Sequence, residues 1–241
     1  VATTSYLELF LGRRDVLSEE ERSILRALPA ERRAFGHGAQ IVAEGKAPEG
    51  SCLLISGMAM RAHRLGGSQR VVSAVHVAGD FIDLHATFLD HLDHDIVAVG
   101  SCIVEFIDGT EIESITREHP HLTRLLWLST LIDAKLHRMW IVLRSGLLAH
   151  KRIGHLMCEL HARLSIVGLV EDDRFALPLD QRGLAEVLGY SVVHTNKAVQ
   201  TLRGEGLLHW DQGRVHLPDP EALAAYCNFD PAYLEYNRCP R

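Results

Sequence analysis

The sequence predicts an α+β chain in three successive parts: a β-rich N-terminal half, one long central helix, and a C-terminal pair of short helices followed by a hairpin. Three observations predict it. Short Val/Ile-rich runs alternate with glycines from about Phe35 to Phe106. Apolar residues then recur at three- and four-residue steps from Pro120 to about Ser145. Finally, "AEVLGYSVVHTNKAV" (Ala185–Val199) begins as a helix, breaks at Gly189 and restarts at Ser191. Their order sets expected domains of 1–110, 111–147 and 148–241.

In the first part, "AQIVAEG", "SCLLISGMAMRAHR", "QRVVSAVHVAGDF" and "DIVAVGSCIVEFI" read as strands, with turns at Gly45, Gly50, Gly57, Gly66–Gly67 and Gly79. Evenly spaced short strands of this kind predict a sandwich or barrel. Ahead of them, Ser18 stands three residues before Glu21 in "LSEEERSILRALP", a capping signature for a leading helix.

A short helix is expected at about Glu111–Glu118, and Pro120 suits the first turn of the long one. The stripe Leu122, Leu125, Leu128 or Ser129, Ile132, Leu136, Met139, Leu143 has roughly heptad spacing. Such a stripe pairs with another helix, which makes Leu125, Ile132, Leu136, Met139 and Leu143 a candidate dimer interface. Burial against its own β-half is the competing reading.

From His150 a further helix leads into the acidic break "GLVEDDRF". In the stretch after it, Asp180 and Ser191 can cap two helices, with Ala185 at their crossing and Gly189 in the turn. Leu184, Val187, Leu188, Ala198 and Leu202 supply the core-facing positions, whereas Val192, Val193, Asn196 and Lys197 fall elsewhere. A helix-turn-helix explains them: its second helix enters the major groove N-terminus first. Valines then meet thymine methyls, and Asn196 and Lys197 reach bases or phosphates. Strands near Leu207–Trp210 and Val215–Leu217, joined by Asp-Gln-Gly, would form a wing, and Glu221–Tyr226 a last helix. Arg174, Arg182, Lys197, Arg203 and Arg214 slightly outnumber the local acids Asp180, Glu186, Glu205 and Asp211. The candidate DNA-binding set is Gln181, Arg182, Ser191, Val192, Val193, His194, Asn196, Lys197, Arg203 and Arg214. The competing reading is an ordinary two-helix turn in a helical subdomain.

Composition bounds the rest. The 241 residues are 47% hydrophobic and 23% charged, with a net charge of −6. That balance is ordinary for a globular chain and gives no global support for nucleic-acid binding, which depends on where the positive charges sit. No apolar run approaches a membrane span, and "VATTSYLELF" lacks the basic and apolar segments of a signal peptide. Five scattered cysteines without a C-x-x-C argue against a disulfide framework or an iron–sulfur site and fit a reducing cytoplasm.

The whole chain resembles the Crp/Fnr superfamily of transcription regulators, from about Leu17 to Leu217. The most specific parts are "EGSCLLISGMAM", "VAGDFIDLHATFL" and "LAEVLGYSVVHTNKAVQTLRGEGLL". The resemblance implies a β-roll (a double-stranded β-helix or jelly roll), a dimer helix and a winged helix. It also implies a homodimer on a palindromic DNA operator, with RNA polymerase as a further partner. Cyclic-AMP-responsive members hold the ribose with a glutamate and the phosphate with an Arg-Ser pair. Gapless alignment from Gly79 puts Leu84 and His94–Asp95 there, and Asp95 would repel a phosphate. Cyclic AMP held in the usual way is therefore not expected. Asp83, Leu84, His85, His94 and Asp95 remain the candidate effector pocket. The clustered N-terminal cysteines of oxygen-sensing members are absent before Cys52. Where Lys197 and Val193 stand, the family often has arginine and glutamate, so the DNA sequence read should differ.

"HATFLDHLDHD" offers a different chemistry. His85, His91 and His94, with Asp90, Asp93 and Asp95, are residue types that ligate Zn²⁺ or Fe²⁺. They admit a cupin-like metal enzyme or a metal or haem sensor, against a solvated loop with polar residues facing water. Cupins place two histidines one residue apart after the glycine, a spacing absent after Gly79. The sequence fixes no cofactor and does not separate activator from repressor.

Overall fold

The glycine-punctuated strands build one antiparallel sheet that rolls over on itself. A computed structural model describes residues 4–48, 50–66, 70–237 and 239–240, so Gly67 of the expected Gly66–Gly67 turn lies outside the described residues. Strands β1 (Glu31–Phe35), β2 (Gln40–Val42), β3 (Ser51–Arg64), β4 (Arg70–Val77) and β5 (Asp95–Ile107) make up the sheet. Its order is β1-β5-β3-β4, with β2 pairing the first part of β5. The long central strands bend where register slips around Ser56. Gly57 is at the bend with φ +82°, and a Cβ there would lie 2.3 Å from the Ser101 carbonyl oxygen. Only glycine fits.

Alternation along β3 distributes its side chains among three apolar clusters. Leu54 and Ala59 pack with Ile82, Ile96 and Val104. Leu53 and Ile55 meet the helices α1 (Thr4–Gly12), α2 (Glu19–Ala27), α3 (Gly109–Glu118) and α4 (Pro120–Gly146). Met58 and Met60, with Val72, Val75, Val77, Val97 and Val99, join the core of the C-terminal part. Ser18 and Glu21 form the expected capping box of α2, at 3.2 and 2.7 Å.

The stripe of α4 divides between two directions. Leu125 and Ile132 are buried in the chain's own interior, with Leu122, Leu126 and Leu128. Those two expected interface residues are therefore not available to a partner. Leu136, Met139 and Leu143 are half-buried. The exposed apolar residues of α4 are instead Trp127, Leu131, Ile141 and Val142, at 53–67% exposure.

The C-terminal part comprises α5 (Ala149–Ile166), β6 (Arg174–Ala176), α6 (Gln181–Leu188), α7 (Val192–Gly204), β7 (His209–Asp211), β8 (Arg214–His216) and α8 (Pro220–Cys227). Its small sheet has the order β6-β8-β7. A buried polar group ties it to the roll. Glu159 accepts from Arg163 at 3.0 Å, and Arg163 also pairs with Asp80 in the turn after β4. Trp140 of α4 donates its indole N–H to the same Glu159 at 3.2 Å. Buried ions survive only when paired and hydrogen-bonded on this scale. Among the described residues, no helix is long and apolar enough to cross a membrane.

Candidate nucleic-acid interface

Two capped helices and a left-handed turn set the geometry. Asp180 accepts from the Gly183 N–H at 2.7 Å, which starts α6, and Ser191 accepts from the His194 N–H at 3.2 Å, which starts α7. Between them Gly189 takes φ +70° as the C-cap of α6, donating back to that helix's carbonyls. Ala185, Val187 and Leu188 on α6 and Thr195, Ala198, Val199 and Leu202 on α7 are buried. The backs of both helices are thereby fixed.

The opposite face of α7 is open. Val193 is 67% exposed and Val192 44%. Ser191, His194, Asn196 and Lys197 are exposed beside them. Val193 in particular gains little from the fold at that exposure. Gln200, also exposed, continues the Val193–Asn196 face by one turn. Sequence reading passed over it, although its spacing from Asn196 was visible.

The remaining candidates separate by burial. Arg182 is exposed on the first turn of α6 and Gln181 beside it is half-buried. Arg214 is exposed at the start of β8, after a Gln212–Gly213 turn with both φ values positive. That turn chemistry matches a tight hairpin. Arg203 is half-buried and donates to the Trp210 carbonyl, so its guanidinium holds the wing to α7.

A further arginine braces the turn. Arg152 of α5, buried, donates to the Leu188 carbonyl at 3.1 Å and to the Tyr190 hydroxyl at 2.7 Å. Its guanidinium lies 4.7 Å from the Tyr190 ring centroid, and that ring rests 4.9 Å from the ring of His194. Nothing in the local sequence pattern marked Arg152, because its partners lie 36 and 38 residues away.

The described members of the candidate effector set do not converge. Asp83 is buried, accepts from the Cys52 N–H at 2.7 Å, and has its carboxyl pushed up to about 6 by burial. Leu84 packs into the apolar cluster beneath the helices. Asp95 accepts from the Glu44 N–H and from Arg64, both at 2.9 Å, and from Gln40. The His85 side chain lies outside the described residues. Of the other four, only His94 borders the large cavity between roll and α4, about 400 Å³, where it meets Arg61, His63, Asp133, His137, Trp140 and Arg144. His91 is exposed in its loop, and His94 pairs with Asp93 at 2.7 Å. Among the described residues, no group of three or more His, Cys, Asp or Glu could hold a metal ion.

Residues 151–226 match the family described as the Crp-like helix-turn-helix domain. No curated protein sequence matches the chain. Among solved structures it is similar to FixK2 from Bradyrhizobium japonicum, with TM-score 0.73 and 19% identity, covering 82% of this chain and 97% of that one. CLP from Xanthomonas campestris, described as a c-di-GMP responsive global regulator, gives 0.60 and 16%, over 89% and 98% of the two chains. TTHA1359 from Thermus thermophilus, described as a CRP/FNR family transcriptional regulator, gives 0.55 and 16%, over 82% and 98%. The chain thus carries a Crp-like helix-turn-helix domain on the fold of the Crp/Fnr transcription regulators.

Proposed function

We propose that this protein is a sequence-specific DNA-binding transcription regulator that acts as a homodimer. The observation that carries the reading is the first two turns of α7. Its backbone is capped and its back is packed, while the exposed side chains of Val193, Asn196 and Lys197 project from it toward solvent. In the major groove, Val193 discriminates through a thymine methyl, and Asn196 and Lys197 through hydrogen bonds to base edges. Arg182 and Arg214 contribute phosphate contacts on either side. Arg203 supports the wing and leaves the reading to its neighbours.

The dimer uses the outward face of α4. Trp127, Leu131, Ile141 and Val142 form an apolar strip along the helix that a second copy covers by two-fold symmetry. Two-fold symmetry then requires a palindromic site with half-sites about 34 Å apart. RNA polymerase is the partner this reading implies when the protein acts as an activator.

The cavity between roll and α4 supports control by a small effector. It is a few hundred cubic ångströms, the size of ordinary ligand pockets. Cyclic AMP in its usual pose does not fit the residues present, because Leu84 points into the core and Asp95 is already bonded to Arg64. Incubating the protein with fragmented genomic DNA and sequencing the bound fraction tests the main reading. An inverted repeat should be enriched; recovery that follows fragment length alone would overturn it.

A further inference from the structure

The chain continues past the matched helix-turn-helix segment and folds back across the molecule. After α8, Phe229 and Tyr233 close on the buried His155 of α5, with ring centroids 5.0 and 5.9 Å away. Asp230 caps a 3-10 turn over Pro231–Leu234 by accepting from the Ala232 N–H. Glu235 then adopts φ +54°, ψ +45°, a left-handed conformation that costs a non-glycine residue energy and is held only by its surroundings. Those surroundings include an ion pair with Lys135 of α4.

The contacts on either side of Glu235 reach every major part of the fold. The Tyr233 hydroxyl donates to Glu159 at 2.9 Å and so joins the group formed by Trp140 of α4, Arg163 of α5 and Asp80 of the roll. Leu234, buried, borders a cleft shared with Ile132 and Leu136 of α4. Tyr236 lies under the Arg14 guanidinium, and the Cys239 N–H donates to the Arg14 carbonyl at 3.0 Å. One short tail therefore spans the DNA-binding part, the dimer helix and the N-terminal end.

We propose that Tyr233 and Glu235 are positioning residues, which fix the angle between the recognition helix and the dimer axis and thereby set the half-site spacing the protein reads. The proposal rests on the dimeric, palindrome-reading function above. Binding two half-sites is a bivalent event: once one module is seated, the second binds at an effective concentration set by how stiffly it is held. Without the tail, the module is held by the α4–α5 connection, by the core it shares with Met58, Met60 and the β4 valines, and by the Arg163–Asp80 pair, none of which lies along the outer part of α4 that carries Lys135. A module also clamped to α4, directly by the Glu235–Lys135 pair and through Tyr233 on the Glu159–Trp140 bond, samples fewer separations. Releasing the clamp should therefore weaken paired half-sites at the preferred spacing and leave a single half-site untouched.

The test uses the full chain, with fluorescence anisotropy on duplexes carrying one half-site or two half-sites at graded spacings. Lys135→Glu should lower affinity for the preferred pair by about fivefold, since one half-exposed ion pair is lost in each protomer. Affinity for a single half-site should not change, and the spacing profile should flatten. Combining Lys135→Glu with Glu235→Lys should restore both affinity and profile. A chain ending at Phe229 should lose more, about twentyfold on the pair. If single and paired sites weaken together, if the spacing profile keeps its shape, or if the charge exchange fails to restore it, the proposal is overturned. A wild-type protein with no preference for spaced pairs would overturn the dimeric reading itself, and the proposal with it.

Discussion

The first two turns of α7 and the segment from Asp83 to Asp95 both carry polar side chains and do opposite things with them. On α7, Asn196 and Lys197 face solvent and only backbone groups are satisfied by the cap. Between Asp83 and Asp95, three side chains are turned inward. Asp83 binds the β3 backbone, Leu84 fills the core, and Asp95 ties Gln40 of β2, the Glu44 N–H beyond it and Arg64 to the start of β5. A polar group engaged inside the fold stabilises it and has little left to offer a ligand. Mutations in the first region should therefore change recognition without stability, and mutations in the second should change stability without recognition.

The largest effect should come from separating the two protomers of the proposed dimer, which leaves both regions intact. Leu131→Glu places a charge in the outward strip of α4. Sedimentation should show monomers, and affinity for a paired site should fall by about a hundredfold or more, the avidity of two linked sites. A mutant that still sediments as a dimer would move the interface elsewhere.

The second effect belongs to the inward region. Asp83 has a folded-state pKa of about 6, above its ordinary value of 3.8. The folded state thus binds the proton more tightly than the unfolded state. Its stabilising contribution is complete below about pH 4 and is lost as pH rises through about 6. The shift corresponds to roughly 2–3 kcal/mol. Urea denaturation of wild type should show stability falling from pH 4 to about 6, and Asp83→Asn, which still accepts from the Cys52 N–H, should flatten that slope. Identical slopes would remove Asp83 as the source. DNA affinity at fixed pH should be the same in both proteins.

Arg182→Ala should give the smallest change. It should weaken all DNA sequences alike and reduce the salt slope by about one unit, as expected for a single phosphate contact. A sequence-dependent loss would promote Arg182 to a base reader.

Local rules made some of the fold legible and left other parts hidden. The capping box at Ser18, the Asp180 and Ser191 caps and the Gly189 break were all visible, because each is a short-range hydrogen-bond or backbone requirement. Edge strand β1 was hidden: "ERRAF" is charged, as exposed edges are, and it is held by pairing with distant β5, including Arg32 to Glu105 at 2.8 Å. Strand β6 buries only Phe175. The stripe on α4 was legible as a stripe, yet spacing alone does not say what covers it. Leu125 and Ile132 face the chain's own interior, and the outward residues Trp127 and Leu131 are offset around the helix. Arg152, Tyr233 and Glu235 act through partners far away in sequence, where no periodicity points.

The central claim is that α7 reads base pairs through Val193, Asn196 and Lys197. In vitro selection from random duplexes, run in parallel with wild type and Lys197→Ala, tests it directly. Wild type should return a palindrome with half-site centres about ten base pairs apart. Lys197→Ala should lose about 1–3 kcal/mol on that site and relax preference at one base pair in each half-site. A non-palindromic wild-type site, or a mutant whose base preferences match those of wild type, would contradict the account.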